Sequence, residues 1–278
     1  MMTPPRLYLG TMTFGWTKQT SSVVDLPVAT QMLETFVKHN HQQSDANFCY
    51  VDTARIYAGG QTEVILGHAL LSQKESGRKI RIGTKAHPSQ TGGLSRDGIL
   101  AQYEASLSAM GDAVQIDEYY LHQPDPDHDL LESLTTLNEL CEQDKIQAIG
   151  LSNYHASEVQ RAMDLCDKHS LKVRPTVYQG LYNPLNRLVE DELLPILQKQ
   201  QCSFVAYNPL AAGLLSGKHK IASTDVLPGR FRDNPNYLPR FYTEANFRAV
   251  QLIEDACQAE GISMIQATSM ATPSLSLV

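Results

Sequence analysis

The chain leaves its first β-like run through Leu9-Gly10-Thr11-Met12-Thr13-Phe14-Gly15. A doubly wound nucleotide-binding sheet carries Gly-x-Gly-x-x-Gly at this turn, so that the backbone can approach a pyrophosphate. The turn here does not match. Beyond it, short β-rich runs alternate with longer helix-period stretches. The β-rich runs are Arg6–Gly10, Asn47–Asp52, Lys79–Thr84, Ile116–His122, Ile146–Ser152, Val173–Gln179 and Ser203–Asn208. The helical patterns are Pro27–Asn40, Thr62–Leu71, Ser95–Met110, Asp129–Gln143, Ala156–Lys168, Asn186–Gln200 and Glu244–Glu260. Ser95 reads as an N-cap and Gly111 as a stop. Strand then helix, repeated, implies parallel strands joined by right-handed crossovers.

The positions of polar residues favour closure over an open sheet. Asp52, Lys85, His122, Ser152-Asn153 and Gln179 each stand at or just past the C-terminal end of a successive strand. A barrel gathers such residues at one mouth. The expected fold is therefore α/β, a (β/α)8 TIM-type barrel forming a single domain over residues 1–278. One unit is missing from the pattern. After Leu210–Tyr242 and the helix Glu244–Glu260, residues 261–278 read as an atypical, polar, small-residue tail without a strand–helix pair. An incomplete barrel would expose two unpaired strand edges.

Composition narrows the classes. Of 278 residues, 42% are apolar and 19% charged, enough for a large core and too little charge for a disordered chain. The net charge of −7 argues against binding nucleic acid by phosphate neutralisation. Five scattered cysteines without a Cys-x-x-Cys pair read as reduced thiols. With no apolar leader and no run of ~20 apolar residues, the expectation is a cytoplasmic protein with neither a membrane nor a nucleic acid as partner.

Four residues make a proton-donating device if neighbouring strands bring them together. A free phenol has a pKa near ~10 and is a weak acid at neutral pH. Lys85 would lower it for Tyr57, and Asp52 would fix the ammonium. His122 would orient or polarise a carbonyl oxygen beside the phenol. The chemistry suggested is protonation of a carbonyl as hydride arrives at its carbon. The nine dispersed histidines form no metal motif, so no metal is expected, and a nicotinamide cofactor is the natural hydride source. Ser152, Asn153 and Gln179 could hold its carboxamide, and Tyr207 could stack on its ring. Asn208-Pro209-Leu210-Ala211-Ala212-Gly213-Leu214-Leu215-Ser216-Gly217-Lys218 is a Gly-punctuated loop that could lie against a pyrophosphate, with Lys218 adding charge. Met12 and Trp16 could line a substrate pocket or simply fill the mouth. Asp125, Asp127 and Asp129 read as a helix-start feature.

These residues, in their context, resemble an aldo-keto reductase. The resemblance rests on Leu9–Gly15, Val51-Asp52-Thr53-Ala54-Arg55-Ile56-Tyr57, Gly83-Thr84-Lys85, Tyr120-Leu121-His122, Ile149-Gly150-Leu151-Ser152-Asn153 and Val177-Tyr178-Gln179. Within the superfamily, Gly10–Gly15, His122-Gln123-Pro124-Asp125 and Tyr207-Asn208-Pro209-Leu210 are most similar to the aflatoxin aldehyde reductase branch. It implies NADPH-dependent reduction of aldehydes and some ketones, with Tyr57 as general acid, Lys85 and Asp52 tuning it, and His122 orienting the substrate. It further implies a coenzyme site of Gly10, Thr11, Met12, Asp52, Ser152, Asn153, Gln179, Tyr207, the Asn208–Lys218 loop with Gly213, Leu214 and Gly217, and Arg230. The family pattern stops resembling the chain at about Ser269. This leaves a second expectation open: a catalytically impaired truncated variant with a regulatory or assembly role, as a homo- or hetero-dimer with relatives, or a channel-associated subunit.

Overall fold

The computed structural model describes residues 6–18, 20, 22–40, 48–73, 79–111, 114–220 and 226–271. Seven strands form one parallel sheet in chain order: β1 (Tyr8–Gly10), β2 (Phe48–Asp52), β3 (Lys79–Ala86), β4 (Ile116–Leu121), β5 (Ala148–Ser152), β6 (Val177–Leu181) and β7 (Ser203–Tyr207). Helices α1 (Leu26–His39), α2 (Gln61–Leu71), α3 (Arg96–Met110), α4 (Leu130–Glu142), α5 (Ala156–Lys168) and α6 (Leu193–Lys199) separate them, except that the β1–β2 and later connections add irregular loops. After β7 come α7 (Leu238–Phe241), α8 (Glu244–Ala259) and α9 (Met264–Ala271). Among the described residues there is no eighth strand, so β1 and β7 are the sheet edges.

The sheet is curled. Gln179 on β6 donates to Asp52 on β2 at 2.8 Å. In a flat sheet, strands four places apart would stand about 19 Å from each other. Tyr8 on β1 likewise reaches Glu118 on β4 at 2.8 Å. Side chains from distant strands meeting inside the curve are the signature of TIM-type packing. Register keeps the strand ends level: Gly10 pairs with Asp52, Asp52 with Gly83, Lys85 with Tyr120 and Ser152 with Gln179.

Helix starts follow their caps. Asp25 accepts from Val28 N before α1, and Ser95 accepts from Gly98 N before α3, as its position suggests. Asp129 accepts from Leu131 N at the head of α4, the helix-start role read for the acidic cluster. The apolar faces of α1–α6 bury Leu33, Leu66, Ile99, Leu134, Val159 and Leu197 against the strands. A second cluster, built on Leu214, Phe231, Phe241, Phe247, Val250 and Met264, packs the segment after β7.

Two expectations are corrected. The strand expected over Val173–Gln179 runs from Val177 to Leu181, because Pro175 has no ladder donor. The helix expected over Asn186–Gln200 shortens to Leu193–Lys199. Asn183 bonds locally to Leu185 N and Asn186, and Pro195 is tolerated only in a first turn. In the tail, Gly261, at φ +67, follows α8, and the chain resumes as α9 (Met264–Ala271) with no strand before it among the described residues. Residues 272–278 of that tail lie outside the described residues. None of the described helices is long and apolar enough to cross a membrane.

Candidate active site

Asp52 ends β2 and Lys85 lies near the end of β3, on adjacent strands. The Lys85 ammonium is fully buried and donates to Asp52 Oδ1 at 2.6 Å and to the Thr53 carbonyl at 2.7 Å. Gln179 Nε2 donates to the same Asp52 oxygen. A buried ammonium is stable only with such partners.

Tyr57 opens a tight turn between β2 and α2. Ala58, Gly59 and Gly60 carry φ of +47°, +62° and +93°, a left-handed run for which the two glycines are suited. The turn brings the Tyr57 ring over Lys85, whose Nζ lies 5.4 Å from its centre. His122, just past β4, meets the Tyr57 ring edge-on at 5.8 Å between centres. The four residues expected at one mouth therefore do come together.

Their electrostatics differ from the expectation in one respect. The Tyr57 phenol is pushed well above its usual value, not lowered. Burial is the main cause, and the Asp52 charge adds to it, while Arg230 pulls it down. The Lys85 charge is directed at Asp52, so it does not dominate the phenol.

His122 is held down to about 2 by burial first, then by the charge of Lys85 and by His87. It is neutral throughout the working range. Its Nδ1 is buried without a hydrogen-bond partner. His87, two positions past Lys85, stacks edge-on against it at 5.0 Å. Sequence reading overlooked His87; its place just beyond Lys85 on β3 was the available signal.

A pH consequence follows from His122. The unfolded imidazole titrates near ~6.5. Between that pH and about 2 the unfolded chain therefore binds the extra proton, and the folded chain does not. Stability from this group is complete above pH ~6.5 and is lost as pH falls, at up to ~1.4 kcal/mol per pH unit. The raised carboxyls Glu63 and Glu118 act in the opposite sense. Urea titrations of the native protein and His122→Asn from pH 7 to 5 isolate the contribution of this imidazole. The native acid limb should be steeper by about 1 kcal/mol per unit; parallel limbs would show that His122 is protonated in the fold.

The remaining residues divide. Asn153, at φ +61, donates to the His122 carbonyl (2.9 Å) and to Ser152 Oγ (3.1 Å), and accepts from the Tyr207 hydroxyl at 2.8 Å. Ser152, Asn153, Gln179 and Tyr207 thus share the mouth with the four. Arg230 lies 5.8 Å from the Trp16 ring centre and 5.5 Å from that of Tyr237, and donates to Asn208 Oδ1 at 3.4 Å. Met12 is half-buried in the turn after β1. Gly213 and Gly217 have φ of +112° and +76°, and space beside Gly213 is open. Pro209 and Lys218 are exposed, Leu210 is half-buried, and Gly10 borders open space.

Two side chains expected at a coenzyme are otherwise engaged. Thr11 is fully buried and donates its hydroxyl to the Asp52 carbonyl at 2.9 Å. Leu214 is a fully buried member of the second core. Both turn inward because an unbonded hydroxyl or an exposed isobutyl group would cost free energy there.

The sequence profile of the Aldo/keto reductase family matches residues 6–269. The chain belongs to that family. It is an oxidoreductase, and its relatives include aflatoxin B1 aldehyde reductase member 2 of Homo sapiens. The two are 37% identical over 276 residues, covering 96% of this chain and 73% of the human protein. Aflatoxin B1 aldehyde reductase member 4 of Homo sapiens is 36% identical, covering 96% and 78%. Among solved structures, the glycerol dehydrogenase of Gluconobacter oxydans superposes with a TM-score of 0.76 at 22% identity, covering 99% of this chain and 81% of that one. At that identity the likeness concerns the fold. The aldo/keto reductase assignment agrees with the curled parallel sheet and with polar residues at its C-terminal edge.

Proposed function

We propose that this aldo/keto reductase converts aldehydes, and some ketones, to alcohols with NADPH, Tyr57 acting as the proton donor. The observation carrying the reading is the meeting of Tyr57, Lys85, Asp52 and His122 at one mouth, where the His122 ring stands edge-on to that of Tyr57.

The donor set fits a nicotinamide coenzyme. Ser152, Asn153 and Gln179 offer hydroxyl and amide groups, which can both donate and accept as a carboxamide requires. Arg230 and Lys218 supply cations for phosphates. The left-handed turns of the Ala211–Ser216 segment leave the backbone open at Gly213. When bound, the coenzyme supplies hydride to the carbonyl carbon. Tyr57 holds its proton until negative charge develops on the substrate oxygen. An alkoxide is a far stronger base than a free phenolate. The raised value serves to keep Tyr57 protonated at rest. His122, being neutral, offers one N–H and one lone pair and orients the carbonyl without adding charge. Lys85 and Asp52 hold the floor on which the phenol sits.

The test is a fluorescence titration with NADPH and with NADH, followed by turnover of 4-nitrobenzaldehyde monitored at the coenzyme absorbance. Saturable micromolar binding of NADPH, weaker binding of NADH and aldehyde-dependent oxidation are expected. No saturation at millimolar coenzyme would overturn the proposal and favour a non-catalytic assembly role.

A further inference from the structure

Tyr57 and Lys85 sit on different elements, and something must hold their separation. Lys85 is a strand residue on β3. Tyr57 belongs to a turn, and turns are the less constrained partner in such an arrangement. One carboxylate spans the two. Glu63, in the first turn of α2, is fully buried. Its Oε1 accepts from Thr84 Oγ1 at 2.7 Å, and Thr84 adjoins Lys85. Its Oε2 accepts from Arg55 Nη1, and Arg55 stands two residues before Tyr57.

The surroundings support that placement. Arg55 N also donates to the Lys85 carbonyl at 3.3 Å, and Arg55 Nη1 donates to the Ala105 carbonyl of α3 at 3.3 Å. Gly60 leaves the lane for the guanidinium: a Cβ there would stand 1.7 Å from Arg55 Nη2. Burial raises the Glu63 carboxyl, while Thr84, Arg55 and the charge of Lys85 pull it back. A buried carboxylate with no contact to the mouth itself would be costly unless these partners were in place.

We propose that Glu63 is a positioning residue: by holding Thr84 on one oxygen and Arg55 on the other, it sets the distance between the Lys85 ammonium and the Tyr57 hydroxyl. This rests on the reading of Tyr57 as proton donor. A displacement of about 1 Å in such a pair is enough to lower a rate by about a hundredfold.

The experiment compares Glu63→Ala, Glu63→Gln, Thr84→Val and Tyr57→Phe in 4-nitrobenzaldehyde reduction, with the solvent deuterium isotope effect on kcat and the NADPH Kd. Glu63→Ala should lower kcat by roughly 100-fold and Thr84→Val by roughly 10-fold. KM for the aldehyde and the Kd for NADPH should stay within about twofold. The solvent isotope effect should rise in both, because proton transfer becomes slower; a mere loss of folded enzyme would scale kcat and leave the isotope effect unchanged. Glu63→Gln should keep most of the rate, since its carbonyl can accept from Arg55 while its amide donates to Thr84 Oγ1. If Glu63→Ala does not fold, Thr84→Val decides. An unchanged kcat and isotope effect in folded Thr84→Val, with Tyr57→Phe inactive, would sink the positioning role alone. Full turnover by Tyr57→Phe would sink the proton-donor reading beneath it.

Discussion

Tyr57→Phe lowers kcat for aldehyde reduction by about 10²–10⁴-fold, the usual contribution of a positioned general acid. The thermal midpoint should move by less than about 2 °C, the equivalent of under ~1 kcal/mol for a chain of this size. The ring that meets His122 edge-on and lies over Lys85 survives the substitution. Only the hydroxyl goes, so NADPH binding should be retained. The argument depends on the proton moving from a phenol already held protonated by burial and by Asp52. A variant that still reduces 4-nitrobenzaldehyde at the native rate would show that water or another group supplies the proton.

Lys85→Met should be damaging in a different way. The substitution keeps a buried apolar chain of similar length but removes the cation, whose Nζ stands 5.4 Å from the Tyr57 ring centre and 5.5 Å from that of Tyr120. Asp52, whose side chain is 13% exposed, is left with Gln179 as its side-chain donor. Stripping one partner from a buried ion pair costs about 3–5 kcal/mol, whereas removing both charges together is close to neutral. Asp52→Asn combined with Lys85→Met should therefore recover most of the lost stability in urea titrations. It should not recover turnover, because the floor beneath the phenol is no longer the same. Additive destabilisation in the double variant would mean that the two groups are not a coupled pair.

Much of this was legible before any coordinates. Parallel strands buried on both faces write themselves as short apolar runs, and each run began or ended within a few residues of its reading, β6 excepted. Ser95, Asp129 and Gly111 mark helix boundaries through local hydrogen bonding and backbone preference, which a sequence states directly. Pro195 marks the first turn of its helix, so the start just before it was legible too. The residues at the strand ends, Asp52, Lys85, His122, Asn153 and Gln179, were recognisable because parallel topology leaves their strands' C-terminal ends on the same side of the sheet.

Other features were not legible, because they depend on distances between segments far apart in the chain. Nothing local in Thr11 says that its hydroxyl will bond to the Asp52 carbonyl, or in Leu214 that it will join Phe231 and Met264 in a second core. The same holds for Glu63, an ordinary first-turn acid by its spacing.

Amino-acid order alone determined the β/α rhythm and the strand ends that carry polar groups, since both follow from periodicity and short-range chemistry, and its motifs carry the likeness to the aldo/keto reductases. Tertiary structure alone decided that the Tyr57 phenol is raised, that His122 is neutral and that Glu63 ties Thr84 to Arg55. Those are consequences of burial and of charges brought within a few ångströms across the curled sheet and the helix behind it, and free energies of that kind exist only once the sheet has curled.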